Sequence, residues 1–385
     1  MGTSPLHIVF LNVTGSLGGA ERVLLILLRE LRRLRPGWQL TVITGDTGPL
    51  LESVRELGCH AECLPMPEAF KALGDWGVRS KVALLQQVAR AVPAALRYRA
   101  ALGNKLRALD PAVVQTNGFK MHVMGSLACP ATARLIWHLH DFVSNRVAMK
   151  NLLRWLSGRP AAVVAISESV AKDLVHVIRN SGKVRIIWNS VSLERSFLQP
   201  SAGGDIRIGL VSTFARWKGH QVFLQALALL PKDLAWLGFI VGGEVYSRAA
   251  SQYTEAELRH NAAELGLLDR LEFTGFLADP AAFIQSLDIV VHASTEPEPF
   301  GLVIAEGMAA GKPVITSSDS IVTDRVNGFV CARGDATALA VALTELARDP
   351  ALRSRLGSAA RATAEQRFQP ERMAREFIEL YEAHV

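Results

Sequence analysis

Asp288-Ile-Val-Val-His-Ala-Ser-Thr-Glu-Pro-Glu-Pro-Phe-Gly-Leu-Val-Ile-Ala-Glu306 reads as one strand, one loop and the start of one helix. The run at 288–292 is short, apolar and rich in β-branched residues, as a strand buried on both faces must be. Pro297 and Pro299 stiffen the loop after it and cannot extend a sheet. A helix then begins near 300–302, with Glu298 just before it and Glu306 inside it. The same unit recurs along the chain. The second half has further strand-like runs at 206–213, 236–241, 270–274 and 313–316, with helical patterns near 219–230, 255–265, 302–310 and 335–347. In the first half, runs at 7–13, 39–44, 112–116, 134–140, 162–166 and 184–188 alternate with helical stretches such as 20–34 and 167–179. Such alternation predicts parallel sheets covered by helices on both faces. Leu198-Gln-Pro-Ser-Ala-Gly-Gly-Asp205 is the best linker in the chain. The expected fold class is α/β, with two doubly wound Rossmann-like domains facing a central cleft. Their ligands should lie beyond the carboxyl ends of the strands.

At 385 residues and 49% hydrophobic composition, the chain is long enough for about two domains with their own cores. Charged residues are 20% of the total, which excludes a largely disordered or fibrous protein. No apolar run approaches the roughly 20 residues of a membrane-spanning helix. The opening residues run straight into a strand-like segment, without a basic region or small-residue cleavage site, and so read as no secretory signal. Cys59, Cys63, Cys129 and Cys331 are too scattered for a disulfide framework. The expectation is a cytoplasmic protein with reduced thiols. Residues 1–200 carry 25 Lys and Arg against 13 Asp and Glu, and the remainder carries 17 against 23. A basic half joined to an acidic half suggests a different partner for each.

Helix starts that come after strands suit anions, because the first backbone N–H groups have no partner inside the helix. Thr14-Gly-Ser-Leu-Gly-Gly-Ala-Glu21 comes after the first strand, and Gly15, Gly18 and Gly19 let the backbone approach a ligand closely. A plain strand–helix turn fits equally well. Gly-x-x-Gly-Gly also partly imitates a dinucleotide fingerprint, although Asp46 comes late for its ribose-binding acid. Arg134-Leu-Ile-Trp-His-Leu-His-Asp141 places His138, His140 and Asp141 at a strand's carboxyl end. The two histidines share a face by the period of two. The plainer alternative is a histidine satisfied at a strand end, and no third ligand stands at metal-binding spacing. Phe214-Ala-Arg-Trp-Lys-Gly-His220 puts Arg216 and Lys218 at a helix start. That is the wrong end for cations unless an anion such as a diphosphate sits there; two solvated side chains are the alternative. Backbone N–H groups near Phe300, Gly301 and Leu302 suit phosphate oxygens, while Glu298 and Glu306 suit sugar hydroxyls. A capping acid and a helix-face acid remain the plainer reading, more easily for Glu306 than for Glu298.

Glu298–Glu306 has the form Glu, seven residues, Glu, with Pro-Phe-Gly between. Together with Gly18-Gly19, His140-Asp141, Ala165-Ile-Ser-Glu168 and Trp217-Lys-Gly219, it resembles the retaining family-4 glycosyltransferases of the GT-B fold, in order and over nearly the whole chain. The resemblance implies an acceptor-binding domain at 1–198 and a nucleotide-sugar-binding domain at 199–368. A helix at 369–385 would return to the first domain. It implies a UDP-linked donor more readily than a GDP-linked one. The acceptor would be a hydroxyl of a glycan, a lipid-linked or a small molecule. By similarity, Glu306 binds ribose and Glu298 holds the donor sugar near the reacting carbon. Lys218 with Arg216 neutralises the leaving diphosphate. Gly18 and Gly19 approach the phosphates, His140 reaches the sugar, and Gly243 and Phe276 border the nucleotide. No metal or other cofactor is implied, and the chain shows no Asp-x-Asp pair.

Two departures stand out. The family's usual Arg lies five residues before the Lys, where this chain has Thr213; Arg216 lies two before. The segment 316–324 is shorter than usual and lacks the common Gly-Gly turn with an acid after it. The competing readings are a GT-B-shaped sugar-nucleotide epimerase or hydrolase, and a non-catalytic binding subunit. Between Phe70 and Arg107 stand Lys71, Arg79, Lys81, Arg90, Arg97, Arg99, Lys105 and Arg107, with Asp75 the sole acid. Leu84, Leu85, Val88, Val92, Leu96 and Leu102 interleave at helical spacing. This segment suits an anionic membrane surface, placing the protein on the inner face, although a solvated helix over an ordinary core is the plainer reading. No nucleic-acid module is recognisable.

Overall fold

The computed structural model describes residues 5–71, 81–194, 204–244, 251–277, 279–318 and 320–385, with the backbone alone for 81–90. The linker read at 198–205 lies outside them except for its last two residues, as do Asp75 and Arg79; the side chains of Lys81, Leu84, Leu85, Val88 and Arg90 are likewise outside. The chain forms two compact units. One comprises Met1–Trp188 with Met373–Val385, and the other Asn189–Arg372.

The first unit is built on β1 (His7–Asn12), β2 (Gln39–Thr44), β3 (His60–Cys63), β4 (Val113–Asn117), β5 (Arg134–Leu139), β6 (Ala162–Ala165) and β7 (Val184–Ile186). All pair in parallel, in the order β3-β2-β1-β4-β5-β6-β7. Ile8, Val9, Phe10 and Leu11 are all buried, which is why β1 is apolar without alternation. The second unit carries β8 (Ile206–Val211), β9 (Trp236–Val241), β10 (Leu271–Gly275), β11 (Ile289–His292), β12 (Val314–Thr316) and β13 (Phe329–Val330). These form a six-stranded sheet in the order β10-β9-β8-β11-β12-β13, again parallel throughout. Each unit is a doubly wound α/β domain, as the alternation of strands and helices predicts.

In each sheet the strand order reverses beside the first strand. The chain runs outward from β1 to β3 and returns to the other side at β4; it runs from β8 to β10 and returns at β11. A crevice opens at such a reversal, at the carboxyl ends of the two central strands. In the second unit, the loops after β8 and β11 therefore meet. Gly219 makes this possible. Its φ is 78°, and a Cβ there would lie 1.8 Å from the Ala293 carbonyl oxygen.

The helix Lys81–Leu109 buries Ala91, Tyr98, Leu102 and Leu106. Val92 and Leu96 remain 46% and 54% exposed, on the side that also carries exposed Arg99. Leu102 thus belongs to the core and not to the outward face. Among the described residues, no helix is long and apolar enough to cross a membrane.

Candidate functional site

Helix His220–Ala228 comes after a single 3-10 turn, Arg216–Lys218, beyond β8. Helix Leu302–Ala309 comes after the loop beyond β11. The two loops are stitched together, since Thr295 donates its backbone N–H to the Trp217 carbonyl at 2.7 Å. This brings two residues 80 positions apart into contact: Lys218 Nζ donates to Glu298 Oε2 at 2.7 Å. The same oxygen accepts from His292 Nε2 at 3.1 Å. His292 Nδ1 lies 3.1 Å from the Thr316 hydroxyl, which accepts the Ser318 N–H at 3.0 Å. With Nε2–H given to Glu298, one chain of contacts runs from Thr316 on β12 through the His292 ring to the carboxylate. Burial alone would raise the Glu298 pKa. The Lys218 charge and the His292 hydrogen bond outweigh it and hold the group at about 2. Glu298 is therefore a firmly ionised, oriented acceptor at neutral pH.

Arg216 points elsewhere. Its guanidinium pairs with Glu257 at 3.1 Å and lies 4.3 Å over the Tyr253 ring. Phe300 is buried edge-on against Phe368, with ring centroids 5.4 Å apart, so only its backbone faces the loop. Gly301 caps the next helix at φ 85°, with no side-chain cap, ahead of Leu302. Glu306 sits half-buried in the second turn of that helix. At the ends of β9 and β10, Gly243 and Phe276 are neighbours: a Cβ on Gly243 would lie 3.1 Å from Phe276 Cβ. Phe276 leaves 60% of its surface exposed, so its ring is open to solvent beside the end of β9.

In the first unit, the loop after β1 is held by two carboxylates. Asp46 accepts the Gly15 N–H at 2.5 Å and the Thr14 hydroxyl at 3.3 Å. Glu21 accepts the Gly18 N–H at 3.1 Å and the Asn12 amide at 3.0 Å. Gly18 and Gly19 are exposed at the start of helix Gly19–Leu34. At the end of β5, His138 and His140 share a face with ring centroids 4.1 Å apart. His140 is half-buried, and Asp141 pairs with Arg146 at 2.8 Å. Ser167, in the Ala165-Ile-Ser-Glu168 motif, caps helix Glu168–Leu174 by accepting the Val170 N–H.

Two family descriptions match the chain in succession: Glycosyltransferase Family 4 over residues 17–195 and Glycosyl transferases group 1 over residues 194–363. The chain is a glycosyltransferase of the GT-B fold. The enzyme is 27% identical over 294 residues to the lipopolysaccharide core biosynthesis glycosyltransferase LpsD of Rhizobium meliloti (strain 1021), spanning 75% of this chain and 80% of that one. It is 27% identical over 289 residues to the phosphatidyl-myo-inositol mannosyltransferase of Mycobacterium leprae (strain TN), over 72% and 68% of the two chains. Among solved structures, Anabaena Alr3699/HepE in complex with UDP and glucose matches with a TM-score of 0.80 at 24% identity, over 98% of this chain and 100% of that one.

Of the residues singled out in the sequence, the glycosyltransferase brings Lys218 and Glu298 into direct contact. It turns the Arg216 guanidinium toward helix Glu255–Glu264. His292 is the residue that sequence reasoning missed. It closes a strand at the carboxyl edge, the same signal that picks out His138 and His140. Asp46, set aside as a late ribose acid, instead fixes the first glycine loop. Among the described residues, no group of three or more His, Cys, Asp or Glu is placed to hold a metal.

Three buried histidines of the enzyme and the half-buried His140 carry a stability consequence. Burial lowers His122 to about 3, His140 to about 4 and His138 well below its ordinary value. His220, in the second unit, is lowered to about 4 for the same reason, with Lys218 adding to it. Each is neutral when folded and takes a proton when unfolded below about pH 6.5. The unfolded chain then binds more protons, so stability falls as pH drops from about 6.5 toward 4, by up to about 1.4 kcal/mol per pH unit for each histidine. Urea titrations should show a lower midpoint at pH 5 than at pH 7. Equal midpoints would contradict the burial of these rings.

Proposed function

We propose that the enzyme is a retaining family-4 glycosyltransferase, moving a sugar from a nucleotide-sugar, UDP-linked in preference to GDP-linked, to an acceptor hydroxyl. The observation that carries the reading is the Lys218–Glu298–His292 group at the strand-order reversal of the second unit. A diphosphate leaving group needs fixed positive charge where its own charge grows. Lys218 supplies it with its remaining N–H donors, and Arg216 adds a second, smaller share because Glu257 offsets it. The ionised Glu298 accepts donor-sugar hydroxyls beside the reacting carbon. Backbone N–H groups at Phe300, Gly301 and Leu302 take phosphate oxygens, and Glu306 takes the ribose hydroxyls. Gly243 and Phe276 border the base and, by the family resemblance, Gly18 and Gly19 approach the phosphates and His140 the sugar. In the reaction, the bond between anomeric carbon and phosphate oxygen breaks. The acceptor oxygen bonds to the same face, and its proton passes to the departing phosphate. The UDP and glucose held by the similar Anabaena protein support the donor class.

Thermal shift and turnover with UDP-glucose, UDP-galactose, UDP-N-acetylglucosamine and GDP-mannose, with and without EDTA, test the donor assignment. A UDP-linked donor should stabilise the fold and be consumed, and EDTA should leave its turnover unchanged. Donor consumed equally fast without acceptor, and returned as an epimer, would favour the epimerase reading.

The acceptor we propose is lipid-linked, presented at the inner face of a membrane. Exposed Val92 and Leu96 beside Arg99 form the surface that supports this, and the mannosyltransferase relative acts, by its name, on a phosphatidyl lipid. Each basic side chain near an anionic surface contributes about 1 kcal/mol. Co-sedimentation with vesicles should rise with anionic lipid, fall with salt, and weaken in a Val92→Ser, Leu96→Ser variant. Binding indifferent to both lipid charge and salt would exclude the membrane part of the reading.

A further inference from the structure

The last helix of the chain, Pro370–Glu382, packs Phe377 and Tyr381 into the core of the first unit. Tyr381 is fully buried, so its hydroxyl must find its partner within the protein. It donates to Gln115 Oε1 at 2.5 Å, from a residue 266 positions away. That bond orients the Gln115 amide. With Oε1 occupied by the tyrosine, Nε2 lies 3.2 Å from His138 Nδ1. An amide nitrogen only donates, so Nδ1 accepts, and the ring proton of neutral His138 sits on Nε2. Gln115 and His138 are themselves buried. Phe377 packs against the His138 ring at 5.1 Å and 64°, and His140 lies on it at 4.1 Å. One line of contacts thus runs from the final helix to the histidine at the carboxyl edge of β5.

We propose that Tyr381 and Gln115 are positioning residues for His140: they fix the tautomer and ring orientation of His138, against which the His140 imidazole rests. The proposal rests on the reading of His140 as a contact to the donor sugar. Four buried side chains from three separate segments are needed to make the arrangement, and a simple packing role would need no hydroxyl on Tyr381 and no amide at Gln115. Loss of the tyrosine proton frees the Gln115 amide to turn over. His138 would then carry its proton on Nδ1, reversing the ring dipole that His140 meets.

The test begins with long-range 1H–15N spectra of histidine-labelled wild-type protein, in which neutral His138 should be protonated on Nε2. Tyr381→Phe keeps the ring and removes the donor; it should shift His138 toward the Nδ1-protonated form. Its kcat should fall about tenfold, the size of one oriented hydrogen bond, with donor KM little changed. Gln115→Glu replaces the donor to Nδ1 with an acceptor and should move the proton to Nδ1 outright, with a larger loss of kcat. Gln115→Met, which can neither donate nor accept strongly, should fall between them. An Nδ1-protonated His138 in wild type would overturn the proposal. So would wild-type kcat in Tyr381→Phe and Gln115→Glu alongside an impaired His140→Ala. Wild-type turnover in His140→Ala would instead remove the reading on which the proposal rests, whatever the spectra show.

Discussion

Glu298→Gln is expected to lose about 10²–10³ in turnover while remaining folded. The substitution keeps size and shape, and His292 Nε2–H still finds an oxygen to donate to. What goes is the charge. At present Glu298 is held at about 2 by Lys218 and His292 against the cost of its burial, so it is fully ionised throughout the working range. An amide in its place accepts sugar hydroxyls less strongly. It also presents an N–H that competes with Lys218 for room. The carboxylate contributes stability that is present above about pH 4.5 and lost as pH falls toward 2, so the variant's stability deficit should shrink in acid. Turnover at saturating donor, with circular dichroism to confirm the fold, checks this. Near-wild-type turnover would remove Glu298 from the site.

Lys218→Ala should lose as much, about 10²–10³, because on the proposed reading its ammonium meets the charge that grows on the leaving diphosphate. Arg216→Ala should lose less, because its guanidinium is shared with Glu257 and the Tyr253 ring. The order of the two variants separates a diphosphate role from general surface charge. Equal, small effects would point to the latter. In Lys218→Ala, Glu298 is left with His292 alone, so its pKa should rise and an acid limb should enter the rate profile of the residual activity.

Much of this architecture is legible in the sequence because strands buried on both faces cannot hide. β1 and β9 have continuous apolar interiors, β2 is buried from Leu40 to Thr44, and all three start where the sequence reading places them. The edge strands are another matter. His60–Cys63 is half polar and Phe329–Val330 is two residues long, and neither carries the buried pattern that identifies a central strand. Helix Pro350–Arg367 escapes periodicity because its Arg- and Ala-rich faces differ little. Its start is marked by Asp349 as cap and Pro350 at the first position, a signal in the sequence that periodicity alone overlooks.

The site divides similarly. Lys218 and Glu298 stand out as charged groups at helix starts, but their contact depends on the β8–β11 reversal and on the close approach at Gly219. His292 is easily passed over, because a histidine that closes an apolar strand looks like any buried one. The direction of the Arg216 guanidinium was not legible at all, since it is decided by Glu257 on a helix that begins 39 residues later.

The most direct measurement is proton NMR of the first sugar product released from whichever donor of the panel the enzyme turns over. Nucleoside diphosphate and an α-configured product should appear together from an α-linked donor, and both should form about 10²–10³ times more slowly in Glu298→Gln. A β-configured first product, or no consumption of any of the four donors, would contradict this.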